Sequence, residues 1–320
     1  MKTVPLYGSV QEDLHRVEAV FDELRSTDLG PLTEMLEMVL SGGGKLMRPA
    51  LTLLSGRFGD YDLARLVPLA ASVELLHTAT LVHDDVIDIA DTRRGRPTAN
   101  SVFHNSTTVM LGDYLFAHAA DQVVRTDDLR VVKLFSETLM IMAKGEIRQD
   151  IAAYDASQDI RDYLARIGGK TASLFSTACE GGALVARETP EQAAAMREYG
   201  YNFGMAFQVI DDILDFAGDP AEMGKPVGSD LMQGTLTLPS LLLMERAAGD
   251  NPVAAYFEEP GAETLAAAVA AVNDSGCVDE SSQMARDFAQ RAVEALAVFG
   301  DEPETQTLAS LADYILERRS

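Results

Sequence analysis

Residues 62–88, DLARLVPLAASVELLHTATLVHDDVID, decide the architecture. The run from 66 to 83 is apolar, interrupted only by side chains such as Glu74 and His77, and it shows no strict two-residue alternation. A segment of this length and texture is a helix, and its end carries Asp84, Asp85 and Asp88. At 3.6 residues per turn, Asp84 with Asp88 and Asp85 with Asp88 share a face. Working outward, Ala, Leu, Met, Glu and Arg fill long stretches between widely spaced Gly and Pro, so the chain reads as all-α. Helices are expected over 9–27, 31–41, 48–58, 62–88, 97–124, 128–153, 159–186, 190–217 and 235–247. Ala-rich helices should follow at 262–272 and 282–298, with Asp279, Glu280, Ser281 and Ser282 as capping candidates for the second. No repeat, linker or composition break divides the 320 residues, so one domain over 1–320 is expected.

With 26 Lys and Arg against 50 Asp and Glu, the net charge is −24, which repels phosphate backbones and makes nucleic acid an unsuitable partner. Cys179 and Cys277 have neither CxxC spacing nor a nearby His, which fits a reducing cytoplasm rather than a disulfide framework or zinc site. The opening MKTVPLYGSVQEDLHRV lacks the apolar core of a signal peptide, and no membrane span is expected.

The spacing of the first acidic cluster recurs in GMAFQVIDDILDFAGDP at 204–220, where Asp211, Asp212 and Asp215 again form DDxxD. With 28 Asp in the chain, random order gives about 0.2 such matches, so a pair is informative where a single one is not. Either cluster alone could be a solvated helix end. Together, beside Val, Ile and Leu, they are buried carboxylates that need cations. Hard oxygen donors without a cage suit Mg²⁺, which keeps waters and shares its coordination with substrate phosphates. The alternating ligands and central Gly of a calcium loop are missing.

Cations to hold a diphosphate lie nearby in sequence. GGGKLMRP at 42–49 brings Lys45 and Arg48 to a glycine turn, with Pro49 placed for the first turn of a helix; the plain alternative is a helix stop and start with incidental charges. It lacks the Walker spacing, so ATP is not implied. Arg93, Arg94 and Arg96 follow the first aspartates, either to neutralise them or to grip phosphate oxygens with bidentate forks. Lys170 and Thr171 stand in GGKTASLF, and Lys225 lies beyond the second cluster. His77 is two helical turns before Asp84 and could donate to the same anion, although a lone His on an apolar helix is ordinarily a satisfied core residue.

Taken in order, these motifs resemble the trans-isoprenyl diphosphate synthases, the polyprenyl synthetase family, across most of the chain. The matching segments are GGGKLMRP at 42–49, ELLHTATLVHDDVIDIADTRRGRPT at 74–98, GDYLF at 112–116, GEIRQ at 145–149, KTASLF at 170–175 and FQVIDDILD at 207–215, followed by GKPVGSDLMQGTLTLP. The resemblance implies an isoprenoid-synthase-type helical bundle around a deep central cavity, usually a homodimer, with the two clusters facing across its mouth. It implies that Asp84, Asp85, Asp88, Asp211, Asp212 and Asp215 bind three Mg²⁺ ions on an allylic prenyl diphosphate, also held by Arg93, Lys170 and Lys225. Lys45, Arg48, His77 and Arg94 would hold isopentenyl diphosphate, with Thr171 and Gln208 beside the forming cation. Leu46, where many relatives have Arg, and Thr235, where many have Lys, depart from the pattern and bear on isopentenyl diphosphate affinity and closure of the C-terminal lid.

Such an enzyme ionises the allylic C–O bond with metal and cations on the leaving diphosphate, and the double bond of isopentenyl diphosphate then attacks. Product length depends on what lies below the first aspartates. Ala79 and Thr80 are about one turn deeper than Asp84, with Leu76 and Leu75 about one turn below them. Small side chains there predict a linear product longer than farnesyl diphosphate, of six to eight isoprene units, with Phe116, Met140 or Met142 as the floor. A class I terpene cyclase would carry a different second metal motif and no isopentenyl diphosphate pocket. A noncatalytic regulatory subunit of a heteromeric synthase would commonly lose an aspartate cluster. A long lipid product implies transient membrane contact on release.

Overall fold

A helix that is apolar all round is packed into a core, and in the computed structural model residues 63–87 form one whose middle is buried. The structure describes residues 6–41, 45–93, 95–218, 226–246 and 249–317. In chain order the helices are α1 (Leu14–Arg25), α2 (Gly30–Leu40), α3 (Met47–Ser55), α4 (Leu63–Ile87), α5 (Ala99–Val102), α6 (Asn105–Val124), α7 (Leu129–Ile151) and α8 (Ile160–Ile167). They continue as α9 (Ser173–Val185), α10 (Pro190–Ala217), α11 (Ser229–Met232), α12 (Leu238–Arg246), α13 (Pro252–Glu258), α14 (Ala262–Asp274), α15 (Cys277–Ala295) and α16 (Pro303–Leu316). One two-stranded antiparallel hairpin pairs Arg93 with Arg96. The chain divides into two compact units, Met1–Thr138 with Leu174–Gly200 and Ala295–Leu311, and Leu139–Ser173 with Tyr201–Glu294 and Ala312–Ser320.

The first unit is built round α4. Asp62 caps it by accepting from the Ala64 N–H at 3.0 Å, and Leu66, Leu69, Ala70, Val73, Leu76 and Ala79 are fully buried. Its packing partners are α6, α3 and α1. Length and composition alone would let α4 cross a membrane, but 61% of its most apolar stretch is buried by the protein itself, as in a core helix. In the second unit α8 packs on α12, and α13 packs on α14. Arg166, buried on α8, donates to the Leu236 carbonyl and, at 3.0 Å, to Gln158 Oε1.

Three local expectations need correction. The helix expected over 97–124 is broken, because Phe103 is extended (φ −112°, ψ 173°) and the preceding residues are spent on the hairpin and α5. The helix expected over 159–186 contains a π-helical turn, Gly168–Ala172. Ser281 and Ser282 do not cap a helix start. They sit inside α15 and donate back to the carbonyls of Cys277 and Val278 at 2.8 and 2.9 Å, while Ser275 Oγ accepts from the Cys277 N–H.

Candidate active site

In the first unit α4 delivers its aspartates at its C-terminal end. Asp85 is buried, Asp84 half-buried and Asp88 exposed. The chain then turns through a left-handed Ile89 (φ 52°). Thr98 Oγ1 and Asn100 Nδ2 both donate to the Ala90 carbonyl, at 2.6 and 3.0 Å, which closes the loop and brings the hairpin back over α4. Arg93 is thereby placed to donate from Nε to Asp85 Oδ1 at 2.8 Å. Burial raises the Asp85 pKa, while the Arg93 charge and hydrogen bond oppose that rise. Arg94 lies outside the described residues.

Arg48 stacks its guanidinium 4.2 Å from the centre of the Phe175 ring, so the phenylalanine of KTASLF orients a cation of GGGKLMRP. Tyr7 donates to the Lys45 carbonyl, and the Lys45 side chain is exposed. Leu46 enters α3 in a left-handed conformation (φ 46°), and residues 42–44 lie outside the described residues. His77 is half-buried on α4, and its carbonyl accepts from Thr80 Oγ1 at 2.7 Å. Ala79 and Leu76 are fully buried, whereas Thr80 and Phe116 are half-buried. Met142 is buried, but Met140 is 64% exposed, so it lies on the surface of the chain and cannot floor an interior corridor.

In the second unit the π-turn, a common device at functional sites, presents Lys170 and Thr171. Lys170 Nζ pairs with Glu146 Oε2 at 2.7 Å. The neighbouring Gly145 lets the two segments approach, since a Cβ there would sit 3.2 Å from the Lys170 nitrogen. Thr171 Oγ1 donates to Gln208 Oε1 at 2.7 Å, and Gln208 Nε2 donates to Asp212 Oδ1 at 2.8 Å.

The three aspartates of α10 have different surroundings. Asp212 is buried and accepts a second bond from the Tyr163 hydroxyl at 2.6 Å. Burial and the neighbouring Asp230 charge push its pKa up, against the pull of these hydrogen bonds. Asp215 is buried and accepts from Ser229 Oγ at 2.5 Å and from the Asp230 N–H at 3.2 Å, which fastens the start of α11 to α10. Asp211 is half-buried, and its side chain makes no hydrogen bond or ion pair to another described residue. Lys225 lies outside the described residues, and the Thr235 N–H is taken up by the Asp230 carbonyl at 2.8 Å. Sequence reasoning gave no role to Tyr163, Glu146 or Ser229, although GEIRQ and GSD were visible as motifs.

Among the described residues no three His, Cys, Asp or Glu side chains converge into a metal cage. The donors are all carboxylates carried in two separate groups. Such a set fits Mg²⁺, which takes one or two carboxylates and completes its shell with water and substrate phosphates.

The helical architecture is that of the all-α prenyltransferases. The model of the family described as polyprenyl synthetase matches residues 30–272, and the chain belongs to that family. It is 36% identical over 318 residues to heptaprenyl diphosphate synthase component 2 of Geobacillus stearothermophilus, covering 99% of both chains. It is 38% identical to the geranyl-diphosphate-specific all-trans-nonaprenyl-diphosphate synthase of Rhodobacter capsulatus, covering 98% of this chain and 97% of the other. The crystal structure of a Caulobacter crescentus polyprenyl synthase complexed with calcium and isoprenyl diphosphate superposes with a TM-score of 0.93 at 32% identity, covering 97% and 96%.

Proposed function

We propose that the protein condenses isopentenyl diphosphate with an allylic prenyl diphosphate, head to tail, to give a linear trans-polyprenyl diphosphate longer than farnesyl, of six to eight isoprene units. The observation that carries this reading is the end of α4: an apolar core helix that finishes in carboxylates beside Arg93. A prenyl diphosphate has the same polarity, a charged head on an apolar tail. The whole of 1–320 acts as one catalytic domain in this reading, and the family match at 30–272 draws on segments of both units.

Asp84, Asp85, Asp88 and the second cluster, Asp211 with Asp212 and Asp215, would hold three Mg²⁺ ions. When bound, magnesium neutralises the charge that grows on the diphosphate as the allylic C–O bond breaks. Arg93, Lys170 and Lys225 bind the oxygens of that leaving group. Lys45, Arg48, His77 and Arg94 bind the diphosphate of isopentenyl diphosphate, whose double bond supplies the electron pair for the new C–C bond. A proton then leaves the adjacent carbon for the released diphosphate, so no protein nucleophile is needed. Thr171 and Gln208 face the cation with oxygen dipoles that stabilise charge without trapping it. Buried Leu76 and Ala79 exclude water, which would otherwise capture the cation as an alcohol.

The active form is a homodimer in a reducing cytoplasm, with transient membrane contact as the long product leaves. Exposed apolar side chains on α6 (Val109, Met110, Val124) and α7 (Ile141, Ile147, Ile151) support self-association, and Cys179 and Cys277 are free thiols. The test is turnover of the purified chain with Mg²⁺, isopentenyl diphosphate and farnesyl or geranylgeranyl diphosphate. Elongated linear products are expected. Cyclic hydrocarbons formed without isopentenyl diphosphate would indicate a cyclase, and activity only after a second, different protein is added would indicate a subunit of a two-component synthase.

A further inference from the structure

Beside the second aspartate cluster, the phenol of Tyr163 is a wholly enclosed polar group with no part in the proposed chemistry. It has no exposed surface, and its hydroxyl donates to Asp212 Oδ2 at 2.6 Å. The other oxygen, Oδ1, accepts from Gln208 Nε2 at 2.8 Å, and Gln208 Oε1 accepts from Thr171 Oγ1 at 2.7 Å. The donors run in one direction: Asp212 accepts from both the Tyr163 hydroxyl and the Gln208 NH₂, and the Gln208 oxygen is turned to accept from Thr171. The Thr171 hydroxyl proton is then committed to Gln208, and toward any other group that oxygen can offer only lone pairs. Tyr163 closes the chain at its buried end and is itself kept in place by Arg166, whose guanidinium lies 5.6 Å from the ring centre and is anchored on Leu236 and Gln158.

We infer that Tyr163 is a positioning residue of the condensation: through Asp212 and Gln208 it orients the Thr171 hydroxyl so that its lone pairs, not its proton, meet the allylic cation. This rests on the proposed function. Removing the phenol hydroxyl leaves Asp212 short of a donor in a buried site, and the carboxylate and amide become free to rearrange.

The test is Tyr163→Phe, which keeps the ring. The expected result is a fall in kcat of about tenfold with the KM for isopentenyl diphosphate changed less than about twofold, because the chain serves the ionising step rather than that diphosphate. A purely structural role would lower the melting temperature and leave the kcat of the folded enzyme unchanged, which overturns the inference. A double-mutant cycle with Thr171→Val sharpens the point. Eight helical residues put the Cα atoms of Tyr163 and Thr171 about 12 Å apart, and the hydrogen bonds that join the two hydroxyls run through Asp212 and Gln208. Thr171→Val should therefore cost at least about threefold less once Tyr163 is Phe, and strictly independent losses would contradict the chain. Should Tyr163→Phe not fold, 3-fluorotyrosine at 163 keeps the hydroxyl, and its ¹⁹F resonance should move on Thr171→Val; an unmoved resonance refutes the inference. That resonance is read without turnover. A wild-type chain that makes no elongated product thus defeats the proposed function, while the fluorine shift still decides the positioning chain.

Discussion

A methyl group has no room at position 112. His83, next to Asp84 on α4, donates from Nε2 to the Val109 carbonyl of α6 at 3.0 Å, and a Cβ on Gly112 would lie 2.1 Å from that nitrogen. The glycine of GDYLF is thus a groove for the imidazole that precedes the aspartates. Gly112→Ala should lower stability by about 1–3 kcal/mol, measured by denaturant unfolding, and should cost distinctly less in a His83→Ala background; equal costs in both backgrounds would deny the contact. A second residue-level effect comes from Glu188. Its carboxyl is buried with neither oxygen hydrogen-bonded to a described residue, and burial pushes its pKa from 4.5 up to about 8. Because the folded pKa is the higher one, this group favours the fold at low pH, and that contribution is lost as pH rises from about 4.5 through about 8. Glu188→Gln should raise the melting temperature by a few degrees at pH 9 and hardly at all at pH 4.5, and a pH-independent shift would show that the carboxyl is not deprotonating inside the fold.

At the scale of elements, the proposed function makes the face of α4 below the aspartates the limit on how long a product can grow. Ala79 and Leu76 are fully buried, and Phe116 on α6 lies beside His83, with ring centres 5.4 Å apart. Ala79→Phe should shift the extracted products to shorter chains, as read by chromatography of the dephosphorylated alcohols. An unchanged length distribution would remove the corridor argument. The helices themselves were legible because an apolar run such as 66–83 has the length and texture of nothing else. The hairpin at 92–97 was not, since two-residue strands carry no periodicity and are made by the turn and by Arg93 reaching Asp85. The π-turn was hidden as well: GGKTA reads as a weak stretch of helix, and nothing in it announces that Gly145 approaches the Lys170 backbone. The aspartate clusters announced themselves by repeating. Tyr163 and Glu146 did not, because a tyrosine or glutamate in an amphipathic helix is indistinguishable by sequence from core filler or solvated surface.

For the molecule as a whole, the acidic charge and the apolar rows on α6 and α7 bear on assembly. The proposed homodimer should scatter light at twice the 34.5 kDa chain mass, and Met110→Glu combined with Ile147→Glu should bring it down to a single chain. A wild-type monomer, or a dimer indifferent to these charges, would contradict that assembly. The central claim is that carboxylates from both DDxxD clusters act, through magnesium, on one diphosphate. Its most direct test is a crystal structure of the protein grown with Mg²⁺ and a non-ionising allylic thiodiphosphate. The expected result is metal ions ligated by Asp84 or Asp88 and by Asp211, all in contact with the same diphosphate; a diphosphate bound with no ion on either cluster, or on one cluster alone, would contradict it.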